Sequence, residues 1–349
     1  MELRLESFVQ DTIKRKLDLY HVVVRQHGEI IGKFDWRENR REDIHSVSKS
    51  FLSIAIGIAI DEGILRLDEK PAEIFSDKLP ESPSENLQAM TIRDMIMMAT
   101  GHDHFILQGY SASDDRPVRD AIENDDWVQY ALEFDVPYKP GTYWKYNNFG
   151  PYLASVIIQE RTGERLVDWL KPRLFTPLGI RNPQWLESVK GYTLGCGGLH
   201  LSTEELSRFG QLCLNKGQWE GKQLVSASWI EEATACQISN KIEGKVQHPD
   251  ECAGYGYFFW RCSRDNAYCG NGYAGQRIFV LPEQDACIAV TSHEFNSGSI
   301  SRSPAKIKPY IDGSAVPSSF PGTGDNLHIS IHNISIFICR NTYDPYLQH

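Results

Sequence analysis

The stretch Ile44-His45-Ser46-Val47-Ser48-Lys49-Ser50-Phe51-Leu52-Ser53-Ile54-Ala55-Ile56-Gly57-Ile58-Ala59-Ile60 governs how the rest of the chain is read. It is apolar on nearly every side, so as a helix it belongs in the middle of a protein, covered all round. Gly63, just beyond it, is a candidate C-terminal cap. Ser46 and Lys49 stand at i and i+3 near its start, one turn apart on one face, so the ammonium nitrogen can reach the hydroxyl. Phe51, Ile54 and Ile56 around the lysine desolvate it, which lowers its pKa and makes the neutral amine accessible. The helix N-terminus adds free N–H groups and the positive end of its dipole where an oxyanion would form. This spacing points to a serine nucleophile with a lysine as its base.

Ser-x-x-Lys alone is a weak signal, because a chain of this length holds about one such pair by chance. Ser303-Pro304-Ala305-Lys306 fits the same spacing. Pro304 and polar surroundings deny that copy a buried helix. The Ser46 copy has companions. Tyr146-Asn147-Asn148 follows Pro140-Gly141-Thr142 and precedes a helix. It offers a phenol that can share a proton with the lysine and an amide that can bond a carbonyl. Taken alone, it also reads as an aromatic loop anchor. Gly270-Asn271-Gly272-Tyr273-Ala274-Gly275-Gln276 leads into a strand-like run, Arg277 to Leu281. Glycines there let a strand edge approach a ligand, and one backbone N–H can complete an oxyanion hole. A plain glycine-rich turn would look the same.

Around these motifs, residues 3–17 have helical apolar spacing, and Tyr20 to Arg25 and Ile30 to Asp35 read as two strands joined by His27-Gly28-Glu29. Residues from about 65 to 191 are mostly helical in pattern, with Thr91 opening a helix to Ala99 and further helices at Tyr152 to Thr162 and Leu166 to Leu174. Helices at Thr203 to Asn215 and Ser226 to Ala235 follow, then β-like runs at Tyr255 to Arg261, Arg277 to Leu281 and Cys287 to Ser292. Strands at both ends with helices between predict an α+β fold: one antiparallel sheet assembled from both termini, with helices beside it. Residues 298–349 change character, rich in Ser, Pro and Gly and then alternating, and carry no functional reading.

Composition excludes other classes. The 349-residue chain has a formal charge of −10 with scattered Lys and Arg, which argues against a nucleic-acid partner. Its longest apolar run, Phe51 to Ile60, is far too short to cross a bilayer. The N-terminus lacks the basic and apolar regions of a signal peptide, and the eight cysteines form no Cys-x-x-Cys, so reduced thiols and a cytoplasmic setting are expected. A Gly-x-Ser-x-Gly elbow and a His-Glu-x-x-His zinc motif are absent from the sequence. His102-Asp103-His104 reads as loop structure rather than a metal site, and His45 as a strand-end residue rather than a triad base. Neither a metal nor a cofactor is implied, and the oligomeric state stays open.

Taken in order, the three motifs resemble the Ser-x-x-Lys serine hydrolases: class C β-lactamases, penicillin-binding proteins of the D-alanyl-D-alanine carboxypeptidase type, and related esterases and amide hydrolases. Ala59 to Asp68, Thr91 to Gly101, Pro177 to Ile180, Gly197 to Thr203 and Gly254 to Tyr257 resemble further family blocks, so the likeness spans roughly residues 5 to 295. The resemblance implies a β-lactamase/transpeptidase-like domain over 1–297. Its sheet lobe would come from about 1–64 and 192–297 and its helical lobe from about 65–191, with the active site in the groove between. It implies Ser46 as acylated nucleophile, Lys49 as proton acceptor, Tyr146 as proton relay and Asn148 as a substrate-positioning amide. The backbone N–H groups of Ser46 and Tyr273 would form the oxyanion hole.

Two departures narrow the expectation. The family's Lys-Thr-Gly aligns here with Gly270-Asn271-Gly272, without a cation, and Arg277 lies nearby on an undetermined face. Carboxylate-bearing substrates are thereby disfavoured, and the Gly-x-x-Gly-Gln ending resembles the branch of esterases and amino-hexanoate oligomer hydrolases. The family's amphipathic C-terminal helix also has no clear counterpart after Ser297. The expected reaction is cleavage of a small-molecule ester, amide or peptide-like substrate. A β-lactamase or D-Ala-D-Ala carboxypeptidase is the alternative within the class, and a non-catalytic ligand-binding protein on the same fold the alternative outside it.

Overall fold

Val22, Val23 and Val24 have no exposed surface, because strand β1 (Leu19–Gln26) lies inside a sheet covered on both faces. The computed structural model describes residues 5–104, 106, 126–264 and 266–293. Helix α1 (Glu6–Arg15) leads into β1 and β2 (Glu29–Asp35). Between them His27 and Gly28 both take positive φ, 52° and 82°, which matches the twist of a tight hairpin. After β3 (Glu42–Asp43) comes helix α2 (Ser48–Asp61), buried from Ser48 through Ala59 as its apolar sequence requires.

Strands β4 (Gln184–Trp185) and β5 (Leu199–Leu201) join β3 in a small sheet of order β3-β5-β4, and β6 (Gln218–Trp219) pairs with β7 (Lys222–Gln223). The last strands are β8 (Trp260–Arg261), β9 (Tyr268–Gly272), β10 (Gln276–Leu281) and β11 (Ala286–Ser292). They complete a six-stranded sheet of order β2-β1-β11-β10-β9-β8, antiparallel at each pairing. Strand β1 from one end of the described chain thus pairs with β11 from the other, Val22 opposite Val290 and Val24 opposite Ile288. The fold is α+β, as the distribution of strands and helices predicts.

Helices cover the sheet and each other. Thr203–Leu214 packs against β1, β10 and β11, while α2 touches β9 on one side and the helix Phe149–Thr162 on another. Capping follows the sequence: Thr91 and Asp94 form a reciprocal box at Ile92–Ile96, and Ser202 and Glu205 do the same at Thr203–Leu214. Among the described residues no helix is long and apolar enough to cross a membrane.

Three expectations need correction. The run Tyr255 to Arg261 is not one strand. Only Trp260–Arg261 is; Gly256 N–H bonds back to the Phe259 carbonyl at 2.8 Å, and Phe258 takes φ 62°, so the segment folds over. Leu166 to Leu174 is an α-helix only to Leu170 and then widens into a π-turn, Lys171–Phe175, where Pro172 has no N–H to continue the ladder. The helix expected from Ile44 starts at Ser48; His45–Val47 is a separate 3₁₀ turn before it. Ser303, Lys306 and the tail 298–349 lie outside the described residues.

Candidate active site

Ser46 sits in the 3₁₀ turn His45–Val47, held between β3 and α2, and Lys49 lies on the first turn of α2. Both side chains are buried. Lys49 Nζ is 2.9 Å from Ser46 Oγ and donates to the Cys196 carbonyl at 2.6 Å. It also stands 5.0 Å from the centroid of the Tyr146 ring. Ser46, Lys49 and Tyr146 therefore meet at one point, which joins two segments that no local pattern links.

The electrostatics follow from the burial. Loss of water around Lys49 pushes its pKa down from 10.5 to about 8, while the neighbouring Cys196 and Asp43 oppose that fall. The polar contacts of Lys49 come from Ser46 and from the Cys196 carbonyl, on the loop before β5. Burial likewise lowers the pKa of His45, with Asp43 acting against it. Among its neighbours an amine at about 8 can both hold and release a proton near neutral pH.

Tyr146 packs in an aromatic wall. Its ring stacks on Trp260 with centroids 5.7 Å apart, and Trp144 and Tyr255 each lie against Trp260. Asn148 is buried at the N-cap position of the helix Phe149–Thr162, which begins earlier than the sequence pattern suggests, and its N–H donates to the Ile106 carbonyl at 3.2 Å. The neighbouring Asn147 accepts from Gly150 N–H at 3.2 Å and donates to Thr100 Oγ1 at 3.3 Å, bracing the same turn.

The opposite wall is the edge of β9. A Cβ on Gly270 would lie 2.9 Å from Ser50 Oγ, and one on Gly272 would lie 2.5 Å from the Ile44 carbonyl, so both glycines let this strand press against the start of α2. Tyr273 opens the turn Tyr273–Gly275, and the His45 ring meets its ring edge-on at 5.6 Å. Asn271 lies opposite Arg277 in the β9–β10 ladder. Arg277 is buried, and its Nη1 donates to the carbonyls of Gly272 at 2.6 Å and Gln276 at 2.8 Å. The guanidinium thus buttresses the turn from within.

His45 follows β3, as expected of a strand-end residue, and takes a positive φ of 47°. His102 is buried, its pKa pushed down to about 4 by desolvation, and its Nδ1 is 2.9 Å from Thr100 Oγ1; His104 pairs with Asp103 on the surface. Among the described residues no three His, Cys, Asp or Glu side chains are grouped to hold a metal ion. The sequence reading missed two contributors. The Cys196 carbonyl carries no side-chain signal, although the glycines at 195, 197 and 198 mark a close backbone approach. Asp43 carries no motif signal, because its hydrogen-bond partners are the backbone N–H groups of His45 and Gly198.

A buried serine–lysine pair under a tyrosine, facing a glycine strand edge, brings together the groups that an acyl transfer requires. Comparison with known proteins agrees at the level of family: the family model described as Beta-lactamase matches residues 9–306. The chain belongs to this family, whose members are serine hydrolases, and its fold is β-lactamase/transpeptidase-like. Among curated relatives, the 6-aminohexanoate-dimer hydrolase of Paenarthrobacter ureafaciens is 24% identical over 306 residues, covering 84% of this chain and 74% of that protein. Two solved structures share the fold. EstCE1, a hydrolase with promiscuous acyltransferase activity, superposes with a TM-score of 0.66 at 13% identity, covering 84% of this chain and 93% of its own. The octameric penicillin-binding protein homologue from Pyrococcus abyssi gives 0.65 at 20% identity, over 83% of this chain and 73% of its own.

Proposed function

We propose that the protein hydrolyses an uncharged small-molecule ester or amide through a covalent acyl-Ser46 intermediate. The observation that carries this reading is the buried contact of 2.9 Å between Lys49 Nζ and Ser46 Oγ, with the lysine pKa lowered to about 8. Neutral Lys49 takes the serine proton as Oγ attacks the acyl carbon. The developing oxyanion is received by the backbone N–H groups of Ser46 and Tyr273. Tyr146 gives the leaving group a proton and takes the one held by Lys49 in its place, and Asn148 helps position the substrate. Water, giving its proton back through Lys49 to Ser46, then releases the acid.

The preference for an uncharged substrate rests on the β9 edge. Gly270, Asn271 and Gly272 bring no cation, and Arg277 is engaged with the carbonyls of Gly272 and Gln276. The name of the 6-aminohexanoate-dimer hydrolase relative lends support to an amide. All seven described cysteines are free, which supports a reducing compartment, and we assign the protein to the cytoplasm on that basis.

A fluorophosphonate probe tests the nucleophile: it labels the wild-type protein and leaves Ser46→Ala unlabelled, and equal labelling of both would refute the assignment. Substrate class is tested by comparing a short-chain p-nitrophenyl ester with a chromogenic cephalosporin. Faster turnover of the ester is expected; strong cephalosporin turnover would favour the β-lactamase alternative.

A further inference from the structure

One carboxylate joins the two backbone segments that hold the Ser46–Lys49 pair. Asp43 Oδ1 accepts from His45 N–H at 2.7 Å, on the residue preceding Ser46. The same oxygen accepts from Gly198 N–H at 3.2 Å, two residues beyond the Cys196 carbonyl that receives Lys49 Nζ. The contacts close a ring: Ser46, His45, Asp43, Gly198, Cys196, Lys49 and back to Ser46. Asp43 Oδ2 also lies 3.3 Å from His45 Nδ1.

The backbone at His45 needs such a hold. Its φ of 47° is in the left-handed region, which a residue with a Cβ enters only at a cost. An aspartate two residues upstream, accepting from the N–H at that position, stabilises such a turn. Nearby bonds keep β5 docked against it: Ile44 N–H donates to the Leu199 carbonyl at 2.9 Å, and Leu199 N–H donates to Ser48 Oγ at 3.2 Å. The His45 ring then meets Tyr273 on the far wall.

We infer that Asp43 is a positioning residue for acyl transfer, a clamp that fixes Ser46 relative to Lys49 by binding the His45 and Gly198 N–H groups together. The inference rests on Ser46 and Lys49 acting as proposed above. It has two separable consequences, one from geometry and one from charge. An asparagine keeps an acceptor oxygen and loses the charge; an alanine loses both. The charge bears on Lys49 together with Cys196, and on His45 together with His200 of β5 and His293 beyond β11.

The test measures the rate of fluorophosphonate labelling against pH for wild type, Asp43→Asn and Asp43→Ala, with Ser46→Ala as control. Asp43→Ala is expected to label about ten- to a hundredfold more slowly, the scale of a misplaced catalytic group. Asp43→Asn is expected to recover most of that rate, with the midpoint of its pH profile below that of wild type, because the negative charge that raises the Lys49 pKa is gone. Wild-type labelling by Asp43→Ala, or an Asp43→Asn rate no better than that of Asp43→Ala, would overturn the clamp; an unmoved Asp43→Asn midpoint would overturn its charge consequence alone. Labelling of Ser46→Ala would instead overturn the nucleophile assignment, so the two failures are distinguishable.

Discussion

Two buried cations stand on the two walls of the groove at Ser46, and both are bonded to backbone carbonyls. Lys49, on the helix wall, reaches the Cys196 carbonyl and the serine hydroxyl; Arg277, on the strand wall, reaches the carbonyls of Gly272 and Gln276. Their chemistry diverges because an ammonium loses its proton when desolvated, whereas a guanidinium stays charged in proteins. Burial therefore turns Lys49 into a group that can exchange protons near neutral pH, and leaves Arg277 a fixed prop for the turn that follows Gly272. The same physical condition yields a reactive group on one wall and a scaffold on the other.

The largest expected effect comes from erasing that difference. Lys49→Arg places a permanently charged group beside Ser46, and turnover of a p-nitrophenyl ester should fall by about a hundred- to ten-thousandfold, the usual contribution of a general base. In wild type, activity should rise with pH through about 8 as Lys49 loses its proton. Stability should follow a related course. The folded-state pKa lies below the unfolded value of 10.5, so between about 8 and 10.5 the unfolded chain binds more protons and stability rises with pH. Chemical denaturation across that range should show the rise in wild type and its loss in Lys49→Met; a flat wild-type profile would contradict the lowered pKa.

A smaller effect is expected from prying the walls apart. Gly272→Ala puts a Cβ 2.5 Å from the Ile44 carbonyl, so either β9 or the turn before Ser46 must shift. The expected cost is about 1–3 kcal/mol of stability, as for other overpacked sites, together with slower labelling of Ser46. Unchanged melting and labelling would mean that the strand edge does not define the site.

The smallest effect on chemistry is expected at the prop itself. Arg277→Met removes charged hydrogen bonds to two carbonyls and should lower stability by about 1–3 kcal/mol. Its pH profile of ester hydrolysis should keep the wild-type midpoint, since Arg277 does not exchange the proton. A displaced midpoint would give Arg277 a role on the Lys49 side of the comparison.

Much of this was legible because local rules and the global fold agree. The apolar run around Ile54 gave a buried helix, Thr91 and Ser202 capped helices where their spacing indicates, and His27-Gly28 turned the hairpin. The segment from Tyr255 misled because its aromatic, β-prone residues pack in a folded-over turn, a choice made by packing rather than propensity. Asn148 reads as a site amide, yet in the structure it also begins a helix. Asp43 was invisible as a contributor because its partners are backbone N–H groups, which every residue carries.

The sequence by itself determined that Ser46 and Lys49 come together one turn apart where a buried helix begins, since spacing and apolar flanks are local properties. It also determined that the β9 edge carries no lysine. Only the tertiary structure decided that the Cys196 carbonyl holds Lys49, that Tyr146 lies across from it, and that Arg277 turns toward the carbonyls of Gly272 and Gln276. Those contacts join segments far apart in the chain, and their geometry depends on how sheet and helices pack, which no local pattern encodes.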